Sequence, residues 1–293
     1  MGAPSVGVFS VLRLGVAGGS INEAYEFISE SMTENIEYVG GNGISGSRDT
    51  RHERIALGRR DVSGSITFEP TPEELDLLAP RILGGTKDVT LFTIAIANTL
   101  PAMDIQFDKV GDVIQYNGCK VNRATIRANV GEVVQLVLEL IGKTQTLPSA
   151  ASAAITHGAP YVFHEGVFKF DTVTREVNSV EVSIENNLLA DINRFSATRT
   201  HVPEGRVRVT CSPVMPFSSD EVAVLAKEVV GAAAQLKFTK AGKSFTIDLA
   251  NLKFSGPGPQ VGSKDGEILY QPTGVAYATS ANGSILFTSD IVA

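Results

Sequence analysis

Residues 59–84, RRDVSGSITFEPTPEELDLLAPRILG, contain the two patterns that decide the fold. Within residues 61–68, apolar residues and glycine alternate with small polar residues, as a half-buried strand requires. Beyond this strand, Thr71 is a candidate N-cap and Gly84 follows an apolar stripe with helical spacing. The stretch therefore predicts a strand leading into a short helix, which Pro80 should kink or shorten.

The same pattern returns at residues 206–231, RVRVTCSPVMPFSSDEVAVLAKEVVG. Gly231 lies 147 residues after Gly84, and strand parity and helix phase are preserved at this offset. A second helix is therefore predicted over residues 219–231. A shared offset across strand, turn and helix indicates a duplicated unit. The alternative is two generic strand–helix pieces that align by chance.

Period-two alternation also dominates the rest of the chain, and turn signals such as Asn117-Gly118 separate the runs. The prediction is a mainly β protein with two tandem β-sandwich or half-barrel units, each with one short flanking α-helix. The predicted boundaries are an N-terminal arm (1–30), a first unit (31–147), a linker (148–159) and a second unit (160–293).

Composition limits the classes of function. The 293 residues are 43% hydrophobic and carry a net charge of −7, which suits a globular protein and argues against binding to nucleic-acid phosphates. Two distant cysteines, Cys119 and Cys211, disfavour a disulfide scaffold and a multi-thiolate metal site. The chain shows no secretory signal and no apolar run of membrane-spanning length, so a cytoplasmic product is the default expectation.

No residues emerge as catalytic, cofactor-binding or metal-binding. Residues 41–46 fit the dinucleotide fingerprint GxGxxG, but a polar, arginine-rich stretch follows where a helix should begin, which favours a glycine-rich loop. The four histidines are too scattered for a local metal motif. The chain also lacks a Gly-x-Ser-x-Gly elbow.

Basic residues cluster before each predicted strand–helix stretch, where a hairpin tip is expected. One interpretation is a solvated loop. The other is a charged arm that docks on an acidic face of a neighbouring subunit. Under the second interpretation the candidate contact residues are Arg48, Arg51, Arg54, Arg59, Arg60, Arg194, Arg199 and Arg206.

With its strand–helix stretch at 59–84, its paired strand-like runs over 116–142, and the matching segments 177–185 and 220–231, the chain resembles phage tail tube proteins. The resemblance is to the long siphophage form, in which the tube domain is duplicated. It covers most of the chain from about residue 30 onward.

The resemblance implies a structural virion protein of the tail, a major tail tube protein assembled in the host cytoplasm, without enzymatic activity, cofactor or membrane contact. Such proteins stack rings around a lumen through which double-stranded DNA passes during ejection. A duplicated chain implies trimeric rings with pseudo-sixfold symmetry, with tape measure and tail terminator proteins as further partners. The alternatives are a minor tail or host-binding protein, and a small-molecule enzyme on a duplicated β-barrel scaffold.

Overall fold

The computed structural model describes most of the chain: residues 10–44, 46, 48–109, 112–155, 158–190, 192–217, 224, 230–256, 258–259, 261 and 266–291. The second helix, predicted over residues 219–231, lies almost entirely outside these residues.

The described residues are mostly in β-strands, as predicted. The strands are β1 (Ser10–Val16), β2 (Ile21–Tyr25), β3 (Ser29–Glu30), β4 (Thr33–Gly40), β5 (Ile55–Phe68), β6 (Thr93–Ala95), β7 (Met103–Lys109), β8 (Asp112–Asn129), β9 (Gln135–Gly142), β10 (Thr144–Thr146), β11 (Gly166–Phe170), β12 (Val173–Arg175), β13 (Ser179–Glu185), β14 (Arg208–Pro216), β15 (Ala232–Lys240), β16 (Lys243–Ser255), β17 (Leu269–Tyr270), β18 (Thr273–Tyr277) and β19 (Ile285–Ser289). The helix α1 spans Pro72–Leu83, and 3₁₀ turns span His52–Arg54 and Phe163–Glu165. The prediction of a mainly β fold is confirmed.

Helix α1 begins and ends where its sequence signals lie. The hydroxyl of Thr71 accepts a hydrogen bond from the Glu74 N–H, and the Glu74 carboxylate accepts one from the Thr71 N–H, forming a capping box. Gly84 ends the helix in the left-handed conformation, where glycine pays no steric penalty. The helix continues through Pro80 to Leu83, so the expected shortening does not occur.

The strands of the first half pair antiparallel in the order β2–β1–β7–β8–β9–β5–β4. The strands of the second half pair antiparallel in the order β12–β11–β15–β16–β18–β14–β13. The two strand orders match position by position. For example, β8 is the fourth strand in the order of the first half, and β16 is the fourth strand in the order of the second half.

The two halves join by strand pairing. All seven residues of β13 pair with β8, so the first long strand of the second half extends the sheet of the first half. A shorter contact pairs β19 with β6. A single cluster of buried apolar side chains runs from Leu12 to Phe287 and includes both halves.

The segment predicted as an N-terminal arm differs from that expectation over residues 10–30. Strand β1 pairs with both β2 and β7, and β3 pairs with β5. Leu12, Leu14 and Tyr25 are at most 1% exposed. These residues therefore belong to the sheet and core of the first half. Their strands are short and interrupted by glycines, so the sequence shows no clear period-two alternation there.

Candidate assembly surfaces

Three arginines of the first cluster lie on the loop of residues 41–54, here called the basic loop, which joins β4 to β5. Its Arg48, Arg51 and Arg54 are exposed and line one open cavity. The loop closes through a hydrogen bond from the Gly41 N–H to the Arg54 carbonyl. The three guanidinium groups are thus presented to solvent at the tip of a hairpin.

The glycine-rich residues 41–46 serve the bend of this hairpin. Gly40, Gly41 and Gly46 all have positive φ, a conformation that favours glycine. Among the described residues that follow, a 3₁₀ turn forms instead of the helix that a dinucleotide site needs. The motif is therefore a loop, in agreement with its polar sequence context.

The other two arginines of this cluster have acidic partners within the chain. Arg60 donates to Glu34 at 2.6 Å across the β4–β5 pair, and this hydrogen bond raises the pKa of the Arg60 guanidinium. Arg59 forms an ion pair with Asp61. Both arginine side chains remain partly accessible to solvent, but each already has a carboxylate of the same chain as its partner.

The second cluster divides in the same way. Arg194 and Arg206 are exposed, whereas Arg199 is only 6% exposed. The Nη1 of Arg199 donates to the carbonyls of Val62, at 2.6 Å, and Gly142, at 2.9 Å. The sequence analysis placed Arg199 among the contact residues, but its buried side chain ties the second half to the middle of β5 and the end of β9, and we leave it out of the contact surface.

The segment that carries Arg199, residues 186–207, is here called the docking loop. Its Glu204 accepts hydrogen bonds from Lys120 Nζ at 2.6 Å and from the Leu100 N–H at 2.8 Å. Burial opposes the charged form of Glu204, but the Lys120 ammonium and the backbone donor lower its pKa overall. The docking loop therefore fixes the second half against the first through paired charges as well as strands.

Ion pairs also bridge the β8–β13 junction. Arg123 pairs with Glu185, and Arg127 donates to Glu181 at 2.7 Å. Each pair consists of residues directly opposite in the antiparallel register. The sequence analysis missed these residues, although alternating charges on the apolar strands β8 and β13 were a detectable signal.

The strands that correspond to β13 in the first half have an open side. In the described part of the chain, β3 and β4 each pair with β5 alone. The outer half of the β4–β5 hairpin also exposes large apolar side chains, and Tyr38 lies directly opposite Leu57. Tyr38 is 66% exposed and Leu57 48%. An unpaired strand edge next to exposed apolar residues is typical of a protein-interaction surface.

Groups with strongly raised pKa values are in the core. Desolvation raises the pKa of the Cys211 thiol to about 12 and also raises that of the Cys119 thiol. Burial likewise raises the pKa of the Tyr25 and Tyr161 hydroxyls. Because burial is the main cause of these raised pKa values, we interpret the two thiols and two hydroxyls as structural core groups.

The described residues contain no group of three or more metal-binding side chains. In the same part of the chain, no helix combines the length and hydropathy needed to cross a bilayer.

Comparison with known proteins identifies the family. No curated protein matches the chain. A family model described as phage tail tube protein matches residues 4–279, which is nearly the whole chain. The chain therefore belongs to the phage tail tube protein family.

Proposed function

We propose that this protein is the major tail tube protein of a siphophage-type tail, and that its copies close into rings which stack around a DNA-conducting lumen. Family membership supports the structural role. The ring proposal depends on a difference between two corresponding strand edges. The outer edge of β13 pairs with β8, whereas the outer edge of the corresponding strands β3 and β4 has no strand partner among the described residues.

The contrast depends on a correspondence between halves. Ser29 pairs with Thr67 in the first half, and Ser179 pairs with Val214 in the second. Thr67 and Val214 are 147 residues apart, the offset found for the strand–helix stretch. The matching strand orders of the two halves support the same alignment, and with it the proposal of two tandem tube units separated near residues 148–159.

The β8–β13 junction then serves as a template for a junction between copies. The β3–β4 edge of one copy takes the place of β13, and the end of β16 in the next copy takes the place of β8. Asn35 corresponds to Glu185, since they pair with Asp61 and Arg208. Strand addition along this edge satisfies backbone groups that an isolated copy leaves open.

The acceptor position follows from the pairing of the neighbouring strands. Glu139 pairs with Ser65 in β5, and Ser212, 147 residues after Ser65, directly follows Cys211, which pairs with Gly274 in β18, so Glu139 corresponds to Thr273. Arg123 pairs with Glu139 in β9, and Ser255 pairs with Thr273 in β18, the strand that replaces β9 in the second half. Asn35 of one copy is therefore expected opposite Ser255 of the next. Because each copy supplies two such units, three copies complete a ring of pseudo-sixfold symmetry.

The basic loop provides the contact between rings in this proposal, through its exposed Arg48, Arg51 and Arg54. The net charge of −7 suits a lumen wall that repels DNA and an acidic face that receives these arginines. Double-stranded DNA, the tape measure protein and the tail terminator protein are the further proposed partners, in a tail assembled in the host cytoplasm. An enzymatic role is not part of the proposal.

The test combines imaging with a disulfide in the expected register. Negative-stain microscopy of purified protein should show rings or hollow tubes. The variant Asn35→Cys/Ser255→Cys should form disulfide-linked species up to the trimer under oxidation. The control Ser29→Cys/Ser255→Cys, with one cysteine at the other end of the strand pair, should assemble without forming a disulfide between copies. Discrete monomers by microscopy at high concentration contradict the proposed function.

A further inference from the structure

The outer end of the β4–β5 hairpin has a counterpart in the docking loop. Gly58 and Gly205 are 147 residues apart, and a Cβ atom at either glycine would press on a backbone carbonyl across the hairpin, that of Glu37 or of Asn187. Glu37 and Asn187 are 150 residues apart, which is also the separation between the aligned residues of β4 and β13. The two close approaches therefore align both sides of the hairpin with the docking loop.

The docking loop covers a small apolar patch on the first half. Leu188 and Val202 are 8% and 3% exposed, and they form one cluster with Leu100. Ile141 of β9 packs against this cluster. Lys120 lies opposite Ile141 in the β8–β9 pair, and its Nζ donates to the Val202 carbonyl at 3.1 Å. Apolar side chains of the loop, an isoleucine of the sheet and a neighbouring lysine thus form the contact within the chain.

The corresponding side chains of the hairpin are uncovered. Tyr38 stands at the position of Leu188, and Ile55 at the position of Val202. Tyr38 is 66% exposed and Ile55 40%. Leu57, directly opposite Tyr38, is 48% exposed. The hairpin therefore carries apolar side chains at the positions that make the contact, and no described residue of the same copy buries them.

The second half offers a surface in the place of the apolar patch. Ile141 pairs with Ser63 in the first half. Thr210, 147 residues after Ser63, pairs with Val275 of β18. Val275 also lies opposite Lys253 of β16, just as Ile141 lies opposite a lysine of β8. A lysine beside a branched apolar residue therefore recurs at the same place in the sheet.

This surface faces solvent in the described part of the chain. Lys253 is exposed, and Tyr277, two residues beyond Val275 on β18, is 46% exposed. The Lys253 Nζ lies 5.9 Å from the centroid of the Tyr277 ring, within the range of a cation–π contact. Lys253, Val275 and Tyr277 are here called the acceptor surface. It combines apolar area with one positive charge.

We infer that Tyr38, Ile55 and Leu57 of one copy pack on the acceptor surface of the next copy. The inference rests on the proposed ring and names a side-chain contact that accompanies its strand pairing. Because the expected pairing of Asn35 with Ser255 is antiparallel, the residues after Asn35 run towards the acceptor surface, whose lysine precedes Ser255 on β16. A second copy is therefore the occupant that the hairpin reaches.

One difference between the two contacts makes the inference specific. Glu204, which forms an ion pair with Lys120 within the chain, corresponds to Leu57 in the hairpin. Lys253, the counterpart of Lys120, is therefore expected to lie beside Leu57 of the neighbouring copy. The contact between copies thus rests on apolar burial where the contact within the chain has an ion pair.

The test places a charge of either sign at residue 57 of the full chain. Leu57→Glu should assemble better than Leu57→Lys, because the glutamate restores the pairing seen within the chain and the lysine faces a like charge. The readout is the protein concentration needed for ring formation, from sedimentation velocity and negative-stain microscopy. We expect it to be roughly tenfold lower for Leu57→Glu than for Leu57→Lys. Adding Lys253→Glu to each variant should reverse this order.

Matched controls separate this contact from a general effect of charge. Val167 of β11 is 42% exposed, close to the exposure of Leu57, and lies outside the proposed contact. Val167→Glu and Val167→Lys should assemble alike, with or without Lys253→Glu. Circular dichroism of every variant checks that the fold is retained, as expected for substitutions of exposed side chains.

The outcomes separate the inference from the proposed function. Reversal of the order by Lys253→Glu confirms the contact. Rings whose order of stability ignores the charge at residue 253 overturn the inference and leave the proposed function intact. An effect on tube growth alone, with rings unchanged, also overturns it, because the hairpin side chains would then contact a copy in the next ring. Absence of rings and tubes from the unsubstituted protein overturns the proposed function and the inference with it.

Discussion

At the scale of single residues, Arg199 shows how a buried charge joins the two halves. Its Nη1 donates to the backbone carbonyls of Val62, in the middle of β5, and Gly142, at the end of β9, and its Nε donates to the Ala190 carbonyl at 2.6 Å. Asp61 lies 3.3 Å from the same Nε and balances the charge. A buried guanidinium with this many partners is costly to remove, since its partners would lose their hydrogen bonds in a site with little water.

We therefore expect Arg199→Met to destabilise the fold by roughly 3 kcal/mol, the loss typical of breaking a buried ion pair. The measurement is the free energy of unfolding from urea denaturation. Arg194→Met is the matched control: Arg194 is an exposed arginine of the same loop, and its replacement should change the free energy by at most about 0.5 kcal/mol. Equal effects of the two substitutions would contradict a special role for Arg199.

At the scale of elements, the end of helix α1 depends on a glycine for two separate reasons. Gly84 has φ of +85°, and a Cβ atom there would lie 2.4 Å from the Thr99 carbonyl oxygen. Gly131, in the turn between β8 and β9, has φ of +78° with open space around its Cβ position. The two glycines have the same left-handed backbone conformation, but only at Gly84 does another backbone segment lie close to the Cβ position.

This difference predicts a graded response to alanine. Gly131→Ala should cost about 1–2 kcal/mol, the penalty of a left-handed non-glycine residue. Gly84→Ala should cost clearly more, because the backbone at Thr99 must also move. Thermal unfolding of both variants measures the two effects, and a smaller loss at Gly84 than at Gly131 would argue against the close approach.

The elements also show what sequence patterns could predict. The strand–helix stretch at 59–84 was predicted with its cap and its terminating glycine, because those signals are local. Residues 10–30 were not recognised as strands, since pairing with β7 and β5 depends on contacts distant in sequence. The burial of Arg199 was beyond reach for the same reason: its acceptors are 137 and 57 residues away. A basic residue in a loop has the same local pattern whether it faces solvent or another strand.

At the scale of the whole molecule, charge is unevenly distributed over the surface. An acidic chain presents three arginines, Arg48, Arg51 and Arg54, on one hairpin tip, in the basic loop, around an open cavity that Asp49 also lines. The sheet edge of β3–β4 and this tip belong to the same hairpin. Ring closure and ring stacking are therefore expected to use different parts of it, the strand edge for the first and the tip for the second.

If the two contacts are separate, charge reversal at the tip should affect only one of them. Arg51→Glu/Arg54→Glu should preserve the fold and the rings but raise the protein concentration needed for tube growth roughly tenfold, equivalent to about 1.4 kcal/mol per contact. Circular dichroism checks the fold, and negative-stain microscopy across a concentration series checks rings and tubes. Lys237→Glu, an exposed reversal on β15 in the second half, is the control and should leave tube growth unchanged. Tubes of normal length from the double variant would exclude the basic loop from stacking. Loss of rings would instead place the basic loop in the contact within the ring and would show that the strand edge and the tip act together.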